Sequence, residues 1–173
     1  KTCQKLGVLH GVVESNEEVL TEVKSNYPKV NIFSDIESSF ELSFDGFILA
    51  TPARTHFEIA KQVILNNCNI LIEKPMTLSS SHAQELVDLA RIHNVNIIVG
   101  HVLLFHPAIR KIKSIIESGR IGDLQYLYSN RLNLGKIRTE ENVFWSLAPH
   151  DIAIFQYFMG SNPISVSAKG STF

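Results

Sequence analysis

Residues 44–75 read FDGFILATPARTHFEIAKQVILNNCNILIEKP, and the order of patterns in this stretch decides the fold. Asp45-Gly46 is a turn signal inside an apolar run, residues 44–50, of strand length. Residues 54–67 follow with Phe57, Ala60, Val63 and Ile64 at helical spacing on one face. Residues 69–72 are a second apolar run, ending abruptly at Glu73-Lys74-Pro75. Two strands joined through a helix form a crossover unit, because a chain that pairs in parallel must first return to the same end of the sheet. Outward from this unit the alternation repeats. Upstream lie a strand over 7–13, a helix over 16–27 and a short strand over 30–33; downstream lie a helix over 79–93 capped by Ser79 and a strand over 95–99. The class is α/β, with crossover units on a parallel sheet.

Near Gly100 the pattern changes. Residues 107–118 read as a helix and 119–123 as a turn, and 124–134 alternate with period two. That places Tyr126, Tyr128 and Leu132 on one face and Ser129, Arg131 and Asn133 on the other. A helix over 150–159 follows. These features predict a first domain over 1–104 on a parallel sheet, then a second domain over 105–173 built on a sheet with one polar face.

The 173 residues are 45% hydrophobic and 19% charged, which excludes disorder. No apolar run approaches the roughly 20 residues of a bilayer span, so no membrane is expected. A formal charge of −1 gives no bulk field for nucleic acid. Cys3 and Cys68 have no CxxC spacing and no HExxH occurs, so neither a disulfide framework nor a metal site is expected. The cytoplasm is the expected compartment. A start without Met, and strand-like alternation over 165–173, read as a piece cut at both ends.

In an open parallel sheet, ligands bind beyond the carboxyl ends of the strands. Here those ends are polar in succession: Glu14, Thr51-Pro52, Glu73-Lys74-Pro75 and Gly100-His101. An acidic group in the place of Glu14 accepts hydrogen bonds from adenosine ribose hydroxyls and repels a 2′-phosphate, which favours NAD over NADP; it also reads as a solvated residue before a helix. The glycine fingerprint GxGxxG is absent from the chain. Lys74 at a strand end suits a base or a donor to a substrate hydroxyl, and Pro75, whose preceding bond can take the cis form, would aim it; a surface turn is the plain alternative. His56 stands one helical turn from Thr51-Pro52, facing either the cleft or the helix surface. His150-Asp151 after Pro149 opens a helix, placing a proton-transfer group at its start and a carboxylate where the dipole favours one. Arg131 and Arg138, with Asn133, offer forks for a carboxylate or phosphate, or form a solvated basic loop. Trp145 would stack on a ring or anchor a core. His10, His82 and His93 are assigned to packing or solvent.

Ala50-Thr51-Pro52 with His56, Glu73-Lys74-Pro75, Val99-Gly100-His101 with Phe105-His106-Pro107-Ala108, and Pro149-His150-Asp151-Ile152 together resemble the Gfo/Idh/MocA oxidoreductases, in order and over nearly the whole chain. The stretch 130–152 is similar to members that serve nucleotide-sugar and surface-polysaccharide synthesis. The resemblance implies Lys74 at the reacting sugar hydroxyl and His150 as acid/base group. It also implies that the first domain, 1–104, is a Rossmann-like doubly wound parallel sheet that binds a dinucleotide, its first strand missing, with Thr51, Pro52, His56 and Glu73 around the cofactor. By the same resemblance 105–173 is the start of an α+β domain with an open, mainly antiparallel sheet that often mediates oligomerisation. Many such proteins carry an aspartate one helical turn before the histidine; here Ser146 stands there and cannot ionise. The expected function is hydride transfer between NAD and a hydroxyl-bearing ring carbon of a sugar, most simply a nucleotide-activated one. The cofactor contacts expected are Glu14, Thr51, Pro52, His56, Glu73, Lys74, Pro75, His101 and Trp145, and the substrate contacts Lys74, Arg131, Asn133, Arg138 and His150. An aldose or cyclitol dehydrogenase and a non-catalytic NAD-binding sensor are the alternatives.

Overall fold

The computed structural model describes residues 1–132 and 142–171. Asn133 and Arg138 lie outside the described residues. The chain divides into two compact units, Lys1–Val99 and Gly100–Phe173.

In the first unit, helix α1 (Thr2–Lys5) precedes strand β1 (Gly11–Val13), helix α2 (Glu17–Asn26) and strand β2 (Asn31–Phe33). β1 and β2 pair in parallel, Val12 opposite Ile32. The strand expected from Gly7 begins only at Gly11, because Gly7 takes a positive φ of 71° after α1. Asn16 caps α2 by accepting from the backbone of Glu18 and Val19. Helix α3 (Ile36–Ser39), capped by Asp35, leads to β3 (Gly46–Leu49), α4 (His56–Leu65), β4 (Asn69–Ile72), α5 (Ser80–His93) and β5 (Ile97–Val99). β3, β4 and β5 are parallel neighbours in that order. Ser79 is the N-cap of α5, but its hydroxyl meets that of Ser81 instead of a backbone N–H.

Apolar alternation along β3 and β4 turns Leu49, Ile70 and Ile72 toward the same side as Ala60, Val63 and Ile64 of α4 and Leu86 and Ala90 of α5; all eight are buried. Outside this core α4 and α5 are joined by Lys61 Nζ on Glu85 at 2.7 Å and by His82 stacked on Phe57 at 3.9 Å between ring centroids. Asn69 secures the start of the sheet: its Nδ2 donates to the Asp45 carbonyl and its Oδ1 accepts from the Asn96 backbone. Phe33, Phe44 and Phe47 form a chain of edge contacts, and Gly11 lies against it. A Cβ there would come within 2.9 Å of the Phe44 ring, so β1 approaches this closely only without a side chain.

In the second unit a 3-10 turn (Val102–Phe105) precedes helix α6 (Pro107–Glu117), capped by His106, whose Nδ1 accepts from the Ala108 N–H. Two expectations need correction. Residues 124–132 form no paired strand, and no sheet occurs among the described residues of this unit. The period-two reading still holds for the faces: Tyr126, Tyr128 and Leu132 are exposed, while Ser129 and Arg131 both reach Asp151. Alternation sets which way side chains point; a ladder also needs a partner. Helix α7 runs from Val143 to Met159, not from His150. Asn142 caps it by accepting from the Trp145 N–H, and Pro149 lies inside it. Asp151 is therefore mid-helix, outside the reach of the terminal dipole. Arg131 supplies the charge instead, through Nε to Oδ2 at 2.6 Å and Nη2 to Oδ1 at 3.0 Å. No helix of the described residues is long and apolar enough to cross a membrane.

Leu86 has no exposed surface, and a Leu86→Ala change should lower stability by about 2–5 kcal/mol in denaturant unfolding, the cost of lost burial plus a cavity. The Asp151 carboxyl is held below the ordinary value first by the Arg131 hydrogen bond, then by that of Ser129, against desolvation. A depressed folded pKa stabilises above the unfolded value, about 3.9, and the contribution disappears as pH falls through the folded value. Asp151→Asn should therefore melt earlier than the parent at pH 7, and the gap in Tm should close as pH falls through the depressed folded value.

Candidate active site

The parallel register sends the chain out of β3 and β4 at the same edge. Leu49 lies opposite Ile72, and the Glu73 N–H continues the ladder to the Leu49 carbonyl at 2.9 Å. The residues after the two strands, Thr51-Pro52 and Lys74-Pro75, consequently emerge side by side. Thr51 and Pro52 are exposed, and their turn is rigid: Thr55 donates its backbone N–H to the Pro52 carbonyl at 2.9 Å and its hydroxyl to the same oxygen at 2.8 Å, with the Thr51 hydroxyl 2.7 Å from that of Thr55.

Glu73 and Lys74 are half-buried, and Glu73 Oε2 accepts from the Lys74 backbone N–H at 3.2 Å. The Lys74–Pro75 peptide bond is cis, the form the sequence allowed. His56 is 1% exposed and so lies on neither surface considered for it. Its ring sits beneath the two turns, Nδ1 2.8 Å from the Pro75 carbonyl oxygen and Nε2 2.9 Å from that of Thr51.

Glu14 leaves β1 half-buried, with its backbone N–H on the Phe33 carbonyl and Oε1 accepting from the Asn16 N–H at 3.0 Å. An ionised carboxylate has several lone-pair sites, so this contact leaves room for hydroxyl donors. His101 follows β5; its Nδ1 is buried with no hydrogen-bond partner among the described residues, and desolvation lowers its pKa. Within the first unit, a carboxylate at a strand end and an exposed Thr-Pro turn are compatible with a dinucleotide's hydroxyl and amide groups.

In the second unit His150 occupies the middle of α7 beside Asp151, with Ser146 one turn earlier and 4% exposed. Trp145 lies in the first turn of the helix, edge-on to Phe144. Arg131, Phe144, Leu147, Asp151 and Lys169 line an open groove of about 560 Å³. Sequence reasoning missed Ser129 and Asp151 as partners of one another and Lys169 as a lining residue. The shared face of Ser129 and Arg131 was the available signal for the first; nothing local marked the second. Among the described residues no three His, Cys, Asp or Glu side chains are grouped to hold a metal.

Comparison with known proteins places this geometry. Residues 2–101 match the model of an oxidoreductase family with an NAD-binding Rossmann fold, and 109–173 match the GFO/IDH/MocA C-terminal domain. UDP-N-acetylglucosamine 3-dehydrogenase of Acidithiobacillus ferrooxidans is 29% identical over 163 residues, 94% of this chain and 50% of its own. Inositol 2-dehydrogenase of Corynebacterium glutamicum is 24% identical, over 93% of this chain and 49% of its own. The crystal structure of GenD2 from gentamicin A biosynthesis in complex with NAD shares the fold, with a TM-score of 0.74 at 21% identity over 88% of this chain and 46% of that one. The chain spans about half the length of the curated relatives it matches. With the parallel strand order and the Glu-Lys-Pro turn already in place, these matches establish that the chain belongs to the GFO/IDH/MocA oxidoreductase family and carries its NAD-binding Rossmann fold.

Proposed function

We propose that the protein oxidises or reduces a ring carbon bearing a hydroxyl on a sugar, using NAD, and that Lys74 carries the proton chemistry. The observation behind this reading is the placement of Lys74: strand register and the Glu73 and Pro75 contacts hold it at the edge where a Rossmann fold takes its ligand. NAD, when bound, accepts or returns the hydride. Lys74 then donates to the substrate hydroxyl and exchanges its proton as the carbonyl forms or is reduced, with His150 as the second acid/base group. Glu14 holds the ribose and disfavours a 2′-phosphate. Thr51, Pro52 and Pro75 shape the cofactor's side of the cleft, and His101 and Trp145 are proposed as further cofactor contacts.

A nucleotide-activated sugar is the substrate class proposed, in the synthesis of surface polysaccharides. It is supported by the relative named for UDP-N-acetylglucosamine and by the groove that carries Arg131 and Lys169. A guanidinium has five N–H donors; Nε and Nη2 of Arg131 are turned to Asp151, and Nη1 is the atom proposed to meet an anionic group, with Asn133 and Arg138. We further propose a cytoplasmic homo-oligomer assembled through the C-terminal domain, whose face with Tyr126 and Tyr128 is exposed. The relative named for inositol supports a cyclitol as the second substrate class. Ser146, which cannot ionise, favours the other reading, an NAD-binding sensor without turnover.

Kinetics of the full-length protein decide between them. Lys74→Met keeps the apolar stem and removes the charge and donors, so kcat should fall about 100- to 10,000-fold while NAD still binds. An enzyme that keeps its kcat reduces the Glu-Lys-Pro turn to architecture. Glu14→Ala should raise KM for NAD and narrow the preference over NADP; a parent protein that uses NADP equally well would overturn the cofactor assignment.

A further inference from the structure

We infer that Arg131 is a positioning residue, whose fork on Asp151 sets the rotation of α7 and with it the place of the neighbouring His150 ring. Arg131 Nε donates to Asp151 Oδ2 at 2.6 Å and Nη2 to Oδ1 at 3.0 Å, and the Ser129 hydroxyl donates to the same Oδ1 at 3.0 Å. Two parallel charge-assisted bonds fix direction as well as distance, which a single point charge would not. The two charged side chains are 34% and 20% exposed, so water competes with this pair less than at an open surface.

The helix needs such a tie at this place. Pro149 has no N–H for the carbonyl four residues earlier, that of Trp145, so α7 loses one hydrogen bond of its ladder immediately before His150. The two ends of the helix are held separately. Asn142 caps the first turn, and near the last turn Lys113 of α6 lies over the Tyr157 ring, 5.5 Å from its centroid. Asp151, two residues past Pro149, is where the segment 129–131 grips the middle.

A helix with its side chains has a radius of about 5–6 Å, so a rotation of about 10° carries an imidazole about 1 Å. A displacement of that size can slow a reaction about 100-fold. Hydrogen bonds of 2.6 and 3.0 Å are lost over a similar distance, so the intact fork excludes the rotation. Nη1 stays outside the fork, and the same guanidinium can meet substrate and hold Asp151 at once. The kinetic consequence rests on the proposed dehydrogenase reading, in which His150 exchanges a proton; the placement of the ring does not.

Two arms on the full-length protein separate placement from turnover. Arg131→Lys keeps the cation and an apolar stem but loses the fork. In protein labelled with nitrogen-15 histidine, it should move the long-range nitrogen–proton correlations of the His150 ring, assigned by their loss in His150→Gln. A His150 signal that stays in place overturns the inference, whether or not the protein turns over any sugar. In the kinetic arm, Arg131→Lys and Asp151→Asn should each lower kcat about 10- to 100-fold, with a much smaller change in KM for NAD. The double variant should lose no more than the larger single loss, because both changes break one tie. Losses that multiply in the double variant overturn the inference, since Arg131 would then act on the reaction without Asp151. Variants that melt earlier but keep kcat reduce the fork to a stabilising contact and overturn it as well. If the unmodified protein binds NAD without turnover, the dehydrogenase reading is lost and the His150 signal alone decides the placement.

Discussion

Parallel pairing of β3, β4 and β5 is the constraint on which the first unit depends. Strands that run the same way must be joined by chain that travels back along the sheet, and α4 and α5 are those returns. Their apolar stripes then bury Leu49, Ile70 and Ile72 against Ile64 and Leu86, so the connection that topology demands is also the packing that stabilises it. Every forward strand ends at the same edge. That edge collects the polar residues which follow the strands, and it is where a cleft can form.

The cleft is preorganised mainly by backbone carbonyls. Thr55 closes the turn after β3 through the Pro52 oxygen, and His56 reaches the oxygens of Thr51 and Pro75 from below. The polar groups closest to the proposed chemistry are thus held by residues that do not face the cleft. Second-unit order follows another rule: with no ladder along residues 124–132, the fork of Arg131 on Asp151, joined by Ser129, ties that segment to α7.

The strands and the long helices of the first unit, the polar strand ends and the family resemblance were legible in the one-dimensional pattern. Apolar periodicity is a local property, and burial of one face makes it visible; the spans of α2, β4 and α5 agree with their periodic segments to within a residue or two. The Glu73-Lys74-Pro75 turn stood out because a lysine and a proline at the end of a buried run are each uncommon there.

What only the tertiary structure decided involves partners distant in sequence. His56 read as a residue of a helix face, yet its environment is two carbonyls, one of them 19 positions away. Asp151 read as a helix-start carboxylate because Pro149 resembles a boundary, whereas Asn142 caps the helix and Arg131, 20 positions back, takes the charge. Residues 124–132 alternate as a strand does without pairing as one. A sequence carries the periodicity that points side chains to a face; hydrogen-bond and ion-pair partners are fixed only when the chain brings distant residues together.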